Sequence, residues 1–180
     1  MKKGLYFFLC VVVLVAGMCW RSNTRKSITS PTNFFEMQYE TLEKAATLME
    51  SKCKQIDTLR SDGSAVVTFY MTGRNKGNYR SRSFFDDAEW DELRKCWLEL
   101  EKYAYIEVDY FRYMGEYAIQ FYCIGKNQSS ERIKFSYVYT PISDSRTVLD
   151  YICFNDKKYV SLQDDLWNLI ECNFEAKKSV

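Results

Sequence analysis

The alternation of hydrophobic and polar residues predicts a long amphipathic helix at the start of the folded region. Asn33 or Thr32 is expected to cap it, and Glu36 stands three residues after Asn33, as in a capping box. The pattern predicts a helix over about 34–59, packed on its own sheet or, alternatively, in a coiled coil. Seven apolar side chains at spacings of four and three share one helical face: Phe35, Tyr39, Leu42, Ala46, Met49, Cys53 and Ile56.

A strand and a second helix are expected next. Residues 65–71 are β-branched and aromatic, which is typical of a strand. Residues 84–100 begin with acidic side chains, which the helix dipole favours at an N-terminus. Their apolar positions recur at helical spacing and form one stripe, consisting of Trp90, Leu93, Trp97 and Leu100.

Period-two alternation then indicates an antiparallel meander. Apolar and polar residues alternate over 104–110, 119–123 and 132–139, and turns are expected at 114–116 and 125–130. Pro141 ends the third of these strands. The alternation predicts a sheet with one buried face and one face toward water.

The C-terminal part has a less regular pattern. Residues 148–154 and 158–162 predict a hairpin around Asn155 and Asp156. Residues 161–164 match a capping box, which predicts a final helix. A turn at 164–165 into one more strand is the alternative. The apolar side chains of the expected helix are Leu162, Leu166, Leu169 and Ile170.

Together these elements predict an α+β protein. We expect an N-terminal signal or anchor segment over 1–20, a polar linker over 21–33 and a single globular domain over 34–180. The domain is predicted to hold a long amphipathic helix and a second helix, packed on an antiparallel meander sheet of about four to six strands.

The apolar segment Leu5–Trp20 decides the expected compartment. It holds sixteen residues without a charge and follows Lys2 and Lys3. As a helix it would be about 24 Å long, shorter than the ~30 Å hydrocarbon core of a bilayer. A basic start followed by a short apolar run is typical of an export signal. We therefore expect an exported protein associated with the membrane of the cell envelope, on its periplasmic or extracellular side.

Three fates of this segment are open. Residues 14–19, Leu-Val-Ala-Gly-Met-Cys, resemble a bacterial lipoprotein signal, and that resemblance implies a lipid on Cys19. Met18 stands where the lipoprotein pattern has a small residue. Cleavage after Gly17 would instead release a soluble chain, and an uncleaved segment would act as a membrane anchor.

Composition limits the chemistry that the domain can perform. The chain has no histidine, which removes the usual Ser-His and Cys-His nucleophile pairs and most zinc sites. Its formal net charge of +1 provides no overall field for nucleic acid or for a membrane surface. None of the seven cysteines is spaced as CxxC, so buried free thiols, or one or two disulfides, are expected. We expect no enzyme activity, no cofactor and no metal ion.

One loop is a candidate binding site for an anionic partner. Over residues 72–83 it carries four basic side chains and no acid, with glycines that allow a ligand close to the backbone. Charge reversal at two of them, Arg80 and Arg82, would then abolish binding of anionic ligands. The alternatives are that the loop neutralises the acidic region 86–109 or that it is simply a solvated loop. The candidate binding residues are Arg74, Lys76, Arg80 and Arg82.

These observations favour a membrane-tethered, non-enzymatic binding domain for a protein or an anionic partner. Exposed tyrosines of the sheet are candidate contacts: Tyr103, Tyr105, Tyr113 and Tyr117. The first alternative is a hydrolase that uses carboxylates without histidine, which predicts a deep acidic pocket. The second is a structural envelope component that self-associates through its first helix.

Overall fold

The chain folds into three helices and a six-stranded sheet within the residues described by the computed structural model, which are 25–53, 65–69, 84–141, 146–153, 159–163 and 165–171. The strands are all antiparallel and lie in the order β1-β2-β3-β4-β6-β5. This confirms the predicted α+β class with an antiparallel sheet. In chain order the elements are α1 (Pro31–Cys53), β1 (Ala65–Phe69), α2 (Asp87–Leu100), β2 (Tyr105–Tyr113), β3 (Glu116–Lys126), β4 (Arg132–Tyr139), α3 (Arg146–Ile152), β5 (Tyr159–Ser161) and β6 (Trp167–Glu171).

Helix α1 begins earlier than the sequence pattern suggested. Ser30 is its cap, because the Ser30 hydroxyl accepts a hydrogen bond from the backbone N–H of Asn33 at 3.1 Å. Pro31 occupies the first helical position, where its missing N–H costs no hydrogen bond. The expectation of a cap at Asn33 or Thr32 is therefore corrected to Ser30. α1 is described as far as Cys53, and the predicted residues 54–59 lie outside the described part.

The residues before α1 pack against the domain. The backbone N–H of Lys26 donates to the carbonyl of Lys102, and that of Ile28 donates to the carbonyl of Lys126, both at 2.8 Å. Ile28 is only 1% exposed. Part of the predicted linker, from Arg25 to Ser30, thus lies along the domain as an ordered strap, and we call residues 25–30 the strap.

Helices α1 and α2 cover one face of the sheet, which we call the front face. α1 presents buried residues at helical spacing, including Phe35, Leu42 and Met49, and α2 presents Leu93 and Trp97. The apolar face of α1 is buried within the domain. The helix therefore packs on the sheet of its own chain, which was the first expectation, and not in a coiled coil. Alternate residues of the central strands complete this core: Ile106, Val108, Tyr110, Ile119, Phe121, Cys123, Phe135, Tyr137 and Tyr139.

The other face, which we call the reverse face, is covered at one end by α3. Val148 and Leu149 of α3 are buried against Ala118, Val138 and Ile170 of the sheet. Within the described residues, no helix is both long enough and apolar enough to cross a membrane.

Two predictions for the C-terminal part are wrong. The predicted strand at 148–154 is the helix α3, and the predicted final helix is the strand β6. β6 pairs with β4 from Tyr139↔Trp167 to Phe135↔Glu171, which buries Trp167 on the front face and Ile170 on the reverse face. The alternative of a turn into one more strand is therefore correct. Asp165 adopts φ +54° in that turn.

Candidate functional site

The residues predicted as sites on sequence grounds lie outside the described part of the chain. This applies to the basic loop residues Arg74, Lys76, Arg80 and Arg82 and to the candidate lipid attachment residue Cys19. These assignments stay predictions.

The four candidate tyrosines do not form one surface. The Tyr117 side chain lies on the front face, where its hydroxyl donates to Glu50 Oε1 at 2.9 Å. Tyr113 lies on the reverse face beneath α3, stacked on Tyr151 with ring centroids 4.5 Å apart. Both rings are thus engaged in internal packing.

The other two tyrosines lie at the start of β2. The Tyr103 ring contacts Phe34 with centroids 5.5 Å apart, and the Lys26 ammonium lies 5.2 Å from the Tyr103 ring centroid. Tyr105 is half-exposed on the reverse face. Of the four, Tyr105 is the one that belongs to a sheet surface not covered by a described helix.

The strand register places further side chains beside Tyr105. Tyr105 pairs with Ile124, and Glu107 pairs with Tyr122, so Tyr105 and Tyr122 are diagonal neighbours on one face. Lys134 continues the row from Ile124 onto β4. Directly paired side chains lie about 4.5–5.5 Å apart at Cβ. We call Tyr105, Glu107, Tyr122, Ile124 and Lys134 the open half of the reverse face.

The open half combines aromatic, aliphatic and charged side chains. Its five side chains are all of intermediate exposure, and its apolar members, Tyr105, Tyr122 and Ile124, belong to neither hydrophobic core of the described structure. Aromatic rings supply contact area with a polar end group, while Glu107 and Lys134 add charges of both signs. A row of neighbouring side chains on a sheet suits a protein surface better than the concave site that a small molecule needs.

Sequence reasoning identified only part of this surface. The alternation in β2 places Tyr105 and Glu107 on the polar face. Tyr122 and Ile124 were not singled out, although their alternation with the buried Phe121 and Cys123 carries the same signal.

A second polar cluster lies between α1 and the front face. Glu50 accepts hydrogen bonds from Tyr117, at 2.9 Å, and from Tyr139, at 3.3 Å. Two turns earlier on α1, Glu43 accepts one from the indole N–H of Trp167 at 2.8 Å. Burial raises the pKa of the Tyr139 phenol, and the negative charges of Glu50 and Glu43 raise it further. These bonds hold α1 on the sheet.

Three cysteines whose side chains the structure describes are buried free thiols, as the periodic patterns suggest: Cys96, Cys123 and Cys153. Burial raises the thiol pKa of Cys96 and of Cys123, which disfavours the reactive thiolate. Within the residues that the structure describes, no three His, Cys, Asp or Glu side chains are grouped so as to hold a metal ion.

Comparison with known proteins provides no relative. No protein-family model, no curated protein and no solved structure matches this chain.

Proposed function

We propose that this chain is an exported, membrane-tethered domain that binds a protein partner through the open half of the reverse face. The tether is the apolar segment 5–20, which follows Lys2 and Lys3 as the apolar part of an export signal follows its basic start. In the lipoprotein-like form of the tether, a lipid is attached to Cys19.

The open half is the observation that carries the proposal. Tyr105, Tyr122 and Ile124 are neighbours in the strand register, with Glu107 and Lys134 beside them. These positions lie beyond the end of the sheet that α3 covers. Burial of tyrosine rings in a protein interface provides large contact area at a low cost in side-chain entropy. The open half is complementary to a protein surface that has an apolar centre and charges of both signs.

A carboxylate-dependent hydrolase is the weaker alternative. It would need two carboxyl groups across a cleft, held with separated pKa values. The acids that stand closest to the sheet core, Glu43 and Glu50, instead accept hydrogen bonds from Trp167, Tyr117 and Tyr139. That arrangement favours a structural role for both carboxylates.

A site-specific photo-crosslinking experiment in the host cell tests the binding surface. A benzophenone side chain at position 122 is expected to form a discrete protein adduct in the membrane fraction. The matched control carries the same probe at position 98, an exposed leucine on the outer side of α2. The adduct should also disappear when Tyr105→Arg is combined with the probe at position 122.

Three outcomes would contradict the binding surface: no adduct at position 122, the same adduct at position 98, or an adduct that glycosidases digest, which would identify a glycan ligand.

The tether is tested separately by the intact mass of the mature chain from membranes. A mass that starts at Cys19 and includes acyl chains, or the full-length mass, supports it. A mass that corresponds to an unlipidated chain beginning at Met18 would contradict the tether.

A further inference from the structure

We propose that the domain docks on an anionic lipid bilayer through one end of the sheet, the end where the strap lies. This inference rests on the proposed membrane tether. We call the surface formed by Arg25, Lys26, Lys102, Lys126 and Arg132 the basic end.

The topology brings these side chains to the same end of the molecule. The strap places Lys26 beside Lys102 and places Ile28 beside Lys126 through the two backbone hydrogen bonds. Arg132 is the register partner of Lys126 at the start of β4. All five basic residues are exposed.

Basic side chains outnumber acidic ones on these segments. The acids of residues 25–30, 99–104 and 126–132 are Glu99, Glu101 and Glu131. Glu99 pairs with Lys102, and the five basic and three acidic residues together leave a net charge of +2 on these segments. A local excess of positive charge is of the kind that binds the anionic headgroups of a membrane surface.

The opposite end of the domain carries charges of both signs. Helix α2 starts there with a capping box between Asp86 and Glu89, and Glu89 forms an ion pair with Lys52 of α1 at 2.7 Å. Attraction between the basic end and negative headgroups is therefore what orients the domain.

The length of chain before the strap places the same end near the membrane. Four residues, 21–24, separate Trp20 from Arg25. Even fully extended, the five steps from residue 20 to residue 25 span at most about 18 Å. Ile28, which is 1% exposed, fixes the strap on the domain. The unattached chain between the membrane segment and the domain is therefore shorter than the predicted linker of 21–33. A tethered domain is therefore held with its basic end toward the bilayer.

One aromatic side chain suits such a position. Tyr103 packs its ring on Phe34 and carries the Lys26 ammonium above it, with a distance of 3.4 Å from Lys26 Nζ to the Tyr103 hydroxyl. A tyrosine with an apolar body and a polar tip, beside lysine, is typical of the boundary between lipid and water.

Hydrogen exchange of the full chain reconstituted in vesicles tests the docking. Vesicles of phosphatidylcholine are compared with vesicles of phosphatidylcholine and phosphatidylglycerol. We expect backbone exchange over residues 25–30 and 126–132 to be on the order of tenfold slower on the anionic vesicles, because several basic residues contribute together. The difference should vanish in high salt, which screens exposed charges.

Two charge-reversal variants make the test specific. Lys126→Glu with Arg132→Glu should abolish the slower exchange, whereas Arg94→Glu with Lys95→Glu, an equal charge change on the exposed side of α2, should retain it. Loss of the effect in both variants would show a general response to net charge and would overturn the docking surface.

The two proposals fail in distinguishable ways. Equal exchange on both vesicle types, with the chain resisting extraction by alkaline carbonate, would overturn the docking and leave the tether intact. Extraction of the chain from neutral vesicles by carbonate would overturn the membrane tether and the docking with it.

Discussion

The side chain of Ile28 occupies the space in front of Gly125. Its Cδ1 atom lies 2.6 Å from the point where a Cβ atom at position 125 would stand, and Ile28 is almost fully buried. The absence of a side chain on this residue of β3 is what allows the strap to reach the core. The strap is therefore fixed by the contact of Ile28 with β3, by a backbone hydrogen bond from Ile28 to Lys126 of β3, and by one from Lys26 to Lys102 in the turn before β2.

A methyl group at position 125 should loosen the strap. We expect Gly125→Ala to lower the free energy of unfolding by about 1 kcal/mol, because the added atom overlaps with the terminal methyl group of Ile28, which must rotate aside. Ile28→Ala should lower it by about 2–5 kcal/mol through the cavity that it leaves. The double variant should lose less than the sum, because the clash requires both side chains. Denaturant unfolding measures all three, and strictly additive losses would contradict the contact.

Removal of Glu50 should weaken the attachment of α1 to the sheet. In Glu50→Ala the hydroxyls of Tyr117 and Tyr139 lose their carboxylate acceptor, so we expect a loss of about 1–3 kcal/mol in the free energy of unfolding. Glu40→Ala is the matched control, since Glu40 is exposed on the same helix. It should change stability by no more than about 0.5 kcal/mol. Equal effects of the two substitutions would show that the cluster contributes nothing.

The buried phenol of Tyr137 should make the protein sensitive to alkali. Its hydroxyl donates to the carbonyl of Pro31 at 2.5 Å, and burial raises its pKa above the ordinary value of 10.0. Above pH 10 the unfolded chain loses this proton while the folded chain retains it, so stability falls as the pH rises.

The matched variant for this effect is Tyr137→Phe. It should be less stable at neutral pH by about 1 kcal/mol, through loss of the hydrogen bond. Above pH 10 its stability should fall less steeply than that of the natural chain, by up to about 1.4 kcal/mol per pH unit. Parallel curves of unfolding free energy against pH would refute the assignment.

Glu92 should titrate well below an ordinary glutamate. Hydrogen bonds from the ammonium groups of Lys44 and Lys95 lower its carboxyl pKa to about 2. A lowered pKa contributes stability above the unfolded value of 4.5, and that contribution is lost as the pH falls toward 2. Carboxyl NMR titration should show the low pKa, and Lys44→Met should raise it. A normal pKa in the natural chain would mean that the ion pairs do not persist in solution.

The thiols of Cys96 and Cys123 should be inert in the folded protein. Both side chains are buried and both pKa values are raised by that burial. We expect neither cysteine to react with iodoacetamide at neutral pH until the chain is unfolded, because the thiolate is the nucleophile. Peptide mass spectrometry of the native and the denatured protein measures the alkylation of each. Rapid labelling of Cys123 in the native state would contradict its position in the core.

The sequence by itself determined the elements whose periodicity is strong. α1 and α2 follow from apolar residues at helical spacing, and β2 to β4 follow from strict alternation that buries residues such as Val108 and Phe121. Ser30 and Pro31 also carry a local start signal for α1, because a capping hydroxyl before a proline is typical of a helix N-terminus.

Tertiary contacts determined what the local pattern left ambiguous. Residues 162–170 fit a helix by spacing, yet Trp167–Glu171 is a strand because pairing with β4 satisfies its backbone and buries Trp167. The open half of the reverse face is likewise a tertiary property. It depends on the strand register that places Tyr105 beside Ile124, and on α3 covering only one end of the reverse face. Neither feature can be predicted from a single segment of the sequence.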